Sequence, residues 1–222
     1  MKIIRNNIII NKIEVPSIEI IPNDFKGEIL LIHGYGGSKE EILGLGYRLA
    51  QERYKCICID LRGHGESKFL YDDNILLDIN EIIGTMDKNK IRIAAGHSLG
   101  GRIALLSNAD IKIGMSPALA KDYSEQTNKF IKSMRQHKVN EVHNNINFEF
   151  LYNLPLVNEH LSENDLIIYG EKDVPEIIQE ISILSKGFKN IHKINFAFHG
   201  DTFIMEEAIT VIKNHILKHS NT

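Results

Sequence analysis

Six short segments of this chain are apolar on both faces: EILLIH (28–33), KCICID (55–60), IRIAAG (91–96), IKIGMS (111–116), DLIIYG (165–170) and IHKINF (191–196). A half-buried strand alternates apolar and polar residues, whereas these read as strands covered on both sides, the pattern of parallel sheets. Between most of them lie stretches with helical spacing of apolar residues, near 39–53, 74–86, 100–108, 175–186 and 203–218. Strands alternating with helices predict an α/β fold built on a doubly wound, mostly parallel sheet flanked by helices. Isoleucine-rich stretches at 2–10 and 13–21, separated by Asn11-Lys12 and ended by Pro22, add a leading hairpin and bring the sheet to about eight strands.

One interval breaks this rhythm. Pro117 to Asn164 is too long for an ordinary loop in a compact domain, so 117–164 is read as a small lid inserted into a single domain spanning 1–222. Its first part, LAKDYSEQTNKFIKSMRQ, has the spacing of an amphipathic helix. Its second, NNINFEFLYNLPL, supplies Phe148, Phe150 and Tyr152, either as core for the insertion itself or as a wall facing a substrate.

Composition excludes several classes. Hydrophobic residues at 43% and charged residues at 25% permit a full core without disulfides or a structural metal. A net charge of -3 and a pI near 6.4 leave no broad electrostatic footprint for nucleic acid or anionic lipid. Cys56 and Cys58 alternate on one face of a predicted strand, as small core hydrophobes. With no further cysteine there is no disulfide framework or thiolate metal site, and a reducing, cytoplasmic compartment is expected. Asparagines interrupt the apolar run of MKIIRNNIIINKIEV, no cleavage site follows it, and no segment has the length to span a bilayer, so stable membrane insertion is not expected.

The chemistry concentrates in GHSLGG (96–101), where a G-x-S-x-G pattern falls between a strand and an apolar helical pattern. That is the context of a nucleophile elbow, a strained turn that lifts Ser98 above the carboxyl edge of the sheet. Gly96 and Gly100 remove side chains where main chains approach closely, and Gly101 gives the following helix room to pack. The bland alternative, a glycine-rich turn with a solvated serine, loses ground to three further segments. HGYGGS (33–38) follows a strand and places the N–H of Tyr35 beside that of Leu99 as a pair of oxyanion donors; it lacks the lysine of a phosphate-binding loop. His199, in FAFHGD, leaves the last strand at the carboxyl edge and is the general base expected for the serine. His33 and His97 brace backbone, His192 opens a strand at the opposite edge, and His137, His143 and His160 lie in the insertion. His215 and His219, one turn apart on a terminal helix, are expected to be solvated and lack a third metal ligand. For the carboxylate that holds the imidazole, Asp173 in YGEKDVP is preferred, with Glu171 and Asp201 as rivals.

The order HGYGG, DLRGHGES (60–67), GHSLGG, YGEKD, FHG resembles the α/β-hydrolase superfamily, in its esterase, acylglycerol lipase and serine-peptidase-like branch, over nearly the whole chain except the insertion. The resemblance implies Ser98 as nucleophile, Asp173 as orienting acid, His199 as base, Tyr35 and Leu99 as oxyanion donors, and no metal or organic cofactor. DLRGHGES carries no member of the triad in that branch; its glycines shape a turn near the site. The activity implied is cleavage of a small-molecule carboxylic ester through an acyl-enzyme. A thioesterase or small-peptide hydrolase would use the same residues. Halide- and epoxide-cleaving relatives place aspartate at the elbow, so Ser98 argues against them, and a catalytically silent receptor is the reading from another class.

Overall fold

The computed structural model describes residues 1–139 and 154–220. Within them eight strands form one sheet: β1 (Lys2–Ile10), β2 (Ile13–Ile21), β3 (Gly27–Ile32), β4 (Tyr54–Ile59), β5 (Ile91–His97), β6 (Ile111–Met115), β7 (Leu166–Lys172) and β8 (Ile191–Phe198). The helices are α1 (Leu43–Ala50), α2 (Ile75–Thr85), α3 (Leu99–Leu106), α4 (Glu125–Arg135), α5 (Pro175–Leu184) and α6 (Glu206–His219). The strand order is β1-β2-β4-β3-β5-β6-β7-β8, antiparallel between β1, β2 and β4 and parallel from β4 to β8. This is the mostly parallel, helix-flanked sheet that the sequence pattern predicts.

Burial follows position in the sheet. Every residue of β3 and of β6 is buried, because each lies between two parallel neighbours with helices above and below. β1, on the outer edge, is almost entirely exposed or half-buried. Asn11 and Lys12 join β1 to β2 with φ of 44° and 68°, the two left-handed residues of a tight hairpin turn.

Two apolar layers result. On one face Ile79 and Ile82 of α2, Ile103 and Leu106 of α3 and Ile177 and Ile181 of α5 pack on Leu30, Ile32 and Ile167. On the other, Leu45 and Leu49 of α1 and Ile209, Ile212 and Ile216 of α6 cover Ile29, Leu31, Ile93 and both cysteines, which are fully buried. Each fully buried isoleucine contributes about 1.5–3 kcal/mol.

The helix expected near 39–53 is shorter, Leu43–Ala50, because residues 39–42 turn beneath the sheet edge to carry Lys39 to Asp60, while Arg53 ends the segment with a φ of 66°. In the interval read as an insertion, α4 supplies the amphipathic helix but buries no side chain. Phe148, Phe150, Tyr152 and His143 lie outside the described residues. The ends of this interval are tied to α3 by the buried Arg102, whose guanidinium donates to the carbonyls of Ala118 (3.3 Å), Ala120 (3.5 Å) and Leu154 (3.5 Å). Among the described residues no helix is long and apolar enough to cross a membrane.

The parallel order changes direction at β3, which has β4 on one side and β5 on the other. Ile32 pairs with Gly96, so the loops leaving β3 and β5 emerge side by side at the carboxyl edge. Such a switch point opens the crevice in which doubly wound sheets hold ligands.

Candidate active site

Ser98 sits between β5 and α3 with φ 54° and ψ -115°, a conformation that L-residues rarely adopt. Main chain alone holds it there. Its N–H donates to Met115 O (2.9 Å), and its carbonyl accepts from the N–H groups of Arg102 (3.1 Å) and Ala118 (2.9 Å). Side chains are excluded around it: a Cβ on Gly96 would lie 2.1 Å from the Gly100 carbonyl oxygen, and one on Gly100 would lie 2.4 Å from the carbonyl oxygens of both Ile32 and His33.

Asp173 follows β7, and its side chain is wholly buried. Oδ1 accepts from Val174 N–H (2.8 Å) and lies 2.7 Å from His199 Nδ1; Oδ2 accepts from Ser116 Oγ (2.5 Å) and Gly170 N–H (3.2 Å). Ser116 Oγ also lies 2.9 Å from the hydroxyl of buried Thr202. Burial alone would push the Asp173 pKa up, but the hydrogen bond from His199, the charge there and the bonds from Ser116 and Val174 more than offset it, and the carboxyl is held below its ordinary value. An ionised acceptor at Nδ1 fixes the proton on that nitrogen and leaves Nε2 of His199 as the basic one.

His97 supports the imidazole from beneath. Its Nε2 lies 2.9 Å from the His199 carbonyl oxygen, and the two rings are 4.8 Å apart. Burial, reinforced by the neighbouring His199, lowers the His97 pKa to about 3, so the ring is neutral and donates from Nε2. The His199 imidazole therefore has an uncharged companion.

Ser98, His199, Asp173, Tyr35 and Leu99 all line one cavity of about 460 Å³. No hydrogen bond joins the Ser98 hydroxyl to His199; contacts of this kind often tighten only when a substrate is bound. Leu99 opens α3, where the first N–H groups have no partner within the helix. The loop carrying Tyr35 passes so close that a Cβ on Gly34 would lie 3.2 Å from Ser98 Cβ. The same loop is braced by His33, which accepts from Leu61 N–H at Nε2 (3.1 Å) and donates from Nδ1 to Gly34 O (2.7 Å), and whose pKa burial lowers to about 3.

A family model described as alpha/beta hydrolase fold matches residues 28–110. Among solved structures, the hydrolase GrgF from Penicillium sp. sh18 superposes with a TM-score of 0.77 at 12% identity, covering 100% of both chains. Est1E from Butyrivibrio proteoclasticus, solved with ferulic acid, superposes with a TM-score of 0.74 at 17% identity over 97% of this chain and 99% of its own. The chain has the α/β-hydrolase fold. A thioesterase domain from the curacin biosynthetic pathway is a further match, with a TM-score of 0.70 and 14% identity over 98% of this chain and 100% of that one. No curated protein matches the sequence.

Within the α/β-hydrolase fold the remaining candidates separate by what they hold. Glu171 Oε2 accepts from Phe196 N–H and Asp201 Oδ2 from Phe198 N–H, both at 2.8 Å, so the two rivals of Asp173 fasten β8 instead. His192 stands at the start of β8, away from the carboxyl edge. His137 lies in the short turn after α4, and His160 serves through its carbonyl, which accepts from Lys112. His215 departs from expectation. Rather than being solvated, it is half-buried, its Nε2 lies 2.8 Å from Asn164 O, its ring is 4.6 Å from that of His219, and burial lowers its pKa. Among the described residues no group of three or more His, Cys, Asp or Glu is placed to hold a metal ion.

Four residues that sequence reasoning missed complete the support. Ser116 holds Asp173, and Thr202 in turn holds the Ser116 hydroxyl; Lys39 and Asp60 tie the loop after β3 to the loop after β4. The Lys39 ammonium donates to Asp60 Oδ2 (2.6 Å) and Glu66 Oε2 (2.9 Å), and Asp60 Oδ1 accepts from Lys39 N–H (2.8 Å). Asp60 opens the DLRGHGES segment, whose tight turn was the one available signal; its partner, 21 residues away, was not.

Proposed function

We propose that this protein is a serine hydrolase that cleaves a carboxylic ester of modest size through an acyl-enzyme on Ser98. The fold and the esterase and thioesterase among its structural neighbours support a hydrolase. The observation that carries the finer reading is the 2.7 Å contact between His199 and the buried Asp173 at the wall of the cavity that also holds the strained Ser98.

His199 Nε2 takes the proton of the Ser98 hydroxyl as Oγ bonds to the substrate carbonyl carbon. The N–H groups of Tyr35 and Leu99 receive the oxyanion. The intermediate collapses as the imidazolium returns its proton to the leaving alcohol. Water then enters, gives a proton to His199 and attacks the acyl carbon, releasing the carboxylic acid and restoring Ser98. Asp173 stays ionised and stabilises the imidazolium, which matches the lowered pKa of its carboxyl. Nothing in this cycle calls for a metal or an organic cofactor. Phe130, Ile131, Met134 and Ile177 give the cavity an apolar wall suited to an acyl chain or aromatic acid. α4 contributes three of these, consistent with 117–164 acting as a small lid within one domain.

Thioester cleavage is the second reading, favoured by the thioesterase domain among the structural neighbours. A fluorophosphonate probe is expected to label the intact protein at Ser98 and to leave Ser98→Ala unlabelled. Equal labelling of both would end the assignment. A panel of p-nitrophenyl esters set beside acyl-thioesters then ranks the two substrates.

A further inference from the structure

The Asp173–His199 pair is flanked by a second pair that the mechanism does not use. Lys172 precedes Asp173, Phe198 precedes His199, and the two face each other across β7 and β8 immediately after a shift in the strand register at Gly170/Lys172. Both line the cavity. The Lys172 ammonium lies 5.3 Å from the centre of the Phe198 ring and 5.9 Å from that of Phe196. The two rings are 58% and 75% exposed, an unusual display of aromatic surface, and Phe196 holds a φ of 61°. A positive φ in a bulky residue is strained, and such strain concentrates at binding sites.

The charges of the cavity wall single out the same lysine. Glu41 is paired with Arg135 (3.2 Å) and Lys138 (3.7 Å), and Asp173 with His199. Among the described residues no carboxylate pairs with Lys172, so it is the wall's unneutralised cation there, held in place by aromatic faces. In the proposed reaction the leaving atom must come within reach of His199 Nε2 to be protonated. Whatever is attached to that atom therefore passes over the residues adjoining His199.

Resting on the acyl-transfer reading above, we infer that Lys172 is a specificity-determining residue and that the natural substrate carries an anionic group, a carboxylate or a phosphate, on its alcohol or thiol half. The ammonium binds that anion at the mouth of the cavity, and Phe198 and Phe196 keep it aimed there.

Two matched substrate pairs test this, each differing by one anionic group on the leaving half. One is the butyrate ester of 3-hydroxybenzoate against that of 3-hydroxybenzamide; the other is butyryl-phosphopantetheine against butyryl-pantetheine. The intact protein is expected to favour the charged member of one pair by about tenfold in kcat/KM, as attraction across a partly screened contact implies; the pair that responds identifies carboxylate or phosphate. Lys172→Met should bring that ratio near one, Lys172→Glu should invert it, and Lys193→Gln, a nearby cation outside the cavity wall, should leave it unchanged. The ratio within one preparation does not depend on how much of a variant folds, and raising the salt should lower it for the intact protein. Turnover of the neutral members with ratios near one in both pairs, or an equal response at Lys193, would overturn the assignment of Lys172 alone. Failure to turn over any of the four substrates would overturn the acyl-transfer reading along with it.

Discussion

Ser98 and Phe196 share a left-handed backbone, with φ of 54° and 61°, and the protein holds them in opposite ways. At Ser98 three main-chain hydrogen bonds and two glycines without room for a Cβ leave no alternative path for the chain. At Phe196 the side chain stands 75% exposed on an outer strand, and a single bond to Glu171 fastens its N–H. Such conformations cost about 1–3 kcal/mol each. The cost at Ser98 is met by the packed interior and yields one fixed position for a hydroxyl. At Phe196 it is met by one surface carboxylate and leaves an aromatic ring displayed to solvent. One sheet edge thus carries a position fixed by the interior and another fastened at the surface.

The sharpest way to break this contrast is chemical. Ser98→Ala should lower kcat in ester hydrolysis by about 10⁴ or more while leaving thermal unfolding nearly unchanged, because every bond that holds position 98 is made by main chain. Asp173→Asn should cost about 10⁴ in kcat through loss of the imidazole's tautomer and charge partner. A variant at either position with near-normal turnover would remove the reason for the rigid elbow. Next comes Gly100→Ala, where the new methyl meets two carbonyl oxygens at 2.4 Å. Urea unfolding should show a loss of about 3 kcal/mol.

Acid should act on the rigid region as well. His33 and His97, whose folded-state pKa values are lowered to about 3 from an ordinary 6.5, both brace the loops around Ser98. The unfolded chain therefore takes up these protons first. Stability from keeping the rings neutral is complete above about pH 6.5 and declines as pH falls toward 3, by up to about 1.4 kcal/mol per pH unit for each ring. Tm measured across that range should slope accordingly, and His97→Asn should flatten the slope. The smallest effect is expected at Phe196: Phe196→Gly relieves the strain but frees the unfolded chain, so the free energy of unfolding measured in urea should rise by under about 1 kcal/mol. A large loss there would mean that Phe196 is as firmly built in as Ser98.

The parts legible in the sequence were those whose signals are local. Strands apolar on both faces named the sheet, and glycines on each side of Ser98 marked the elbow, because a close approach of main chains leaves no choice of residue. Asp173 was harder to separate from Glu171 and Asp201, since three carboxylates stand within reach of the same edge. What distinguishes them is which N–H groups of β8 need an acceptor, and that depends on the bend of the strand. The bend itself was invisible: FAF reads as ordinary alternation, and the strand expected to stop at 196 continues to Phe198. Ser116 reaches Asp173 across 57 residues and Thr202 across 86, distances over which sequence spacing carries no information.

Among the described residues β8 is also one of the two outer strands of the sheet, with no strand paired along its free side. A straight, apolar strand in that place invites another molecule to add its own, the first step toward aggregation. The opposite border, β1, is protected by Lys2, Arg5 and the polar pair Asn6 and Asn7. β8 is protected by shape: the kink at Phe196 and the irregular pairing beside Lys172 interrupt the flat ladder that a second copy would need. The deformation that exposes two aromatic rings thus also makes that border a poor template for an added strand.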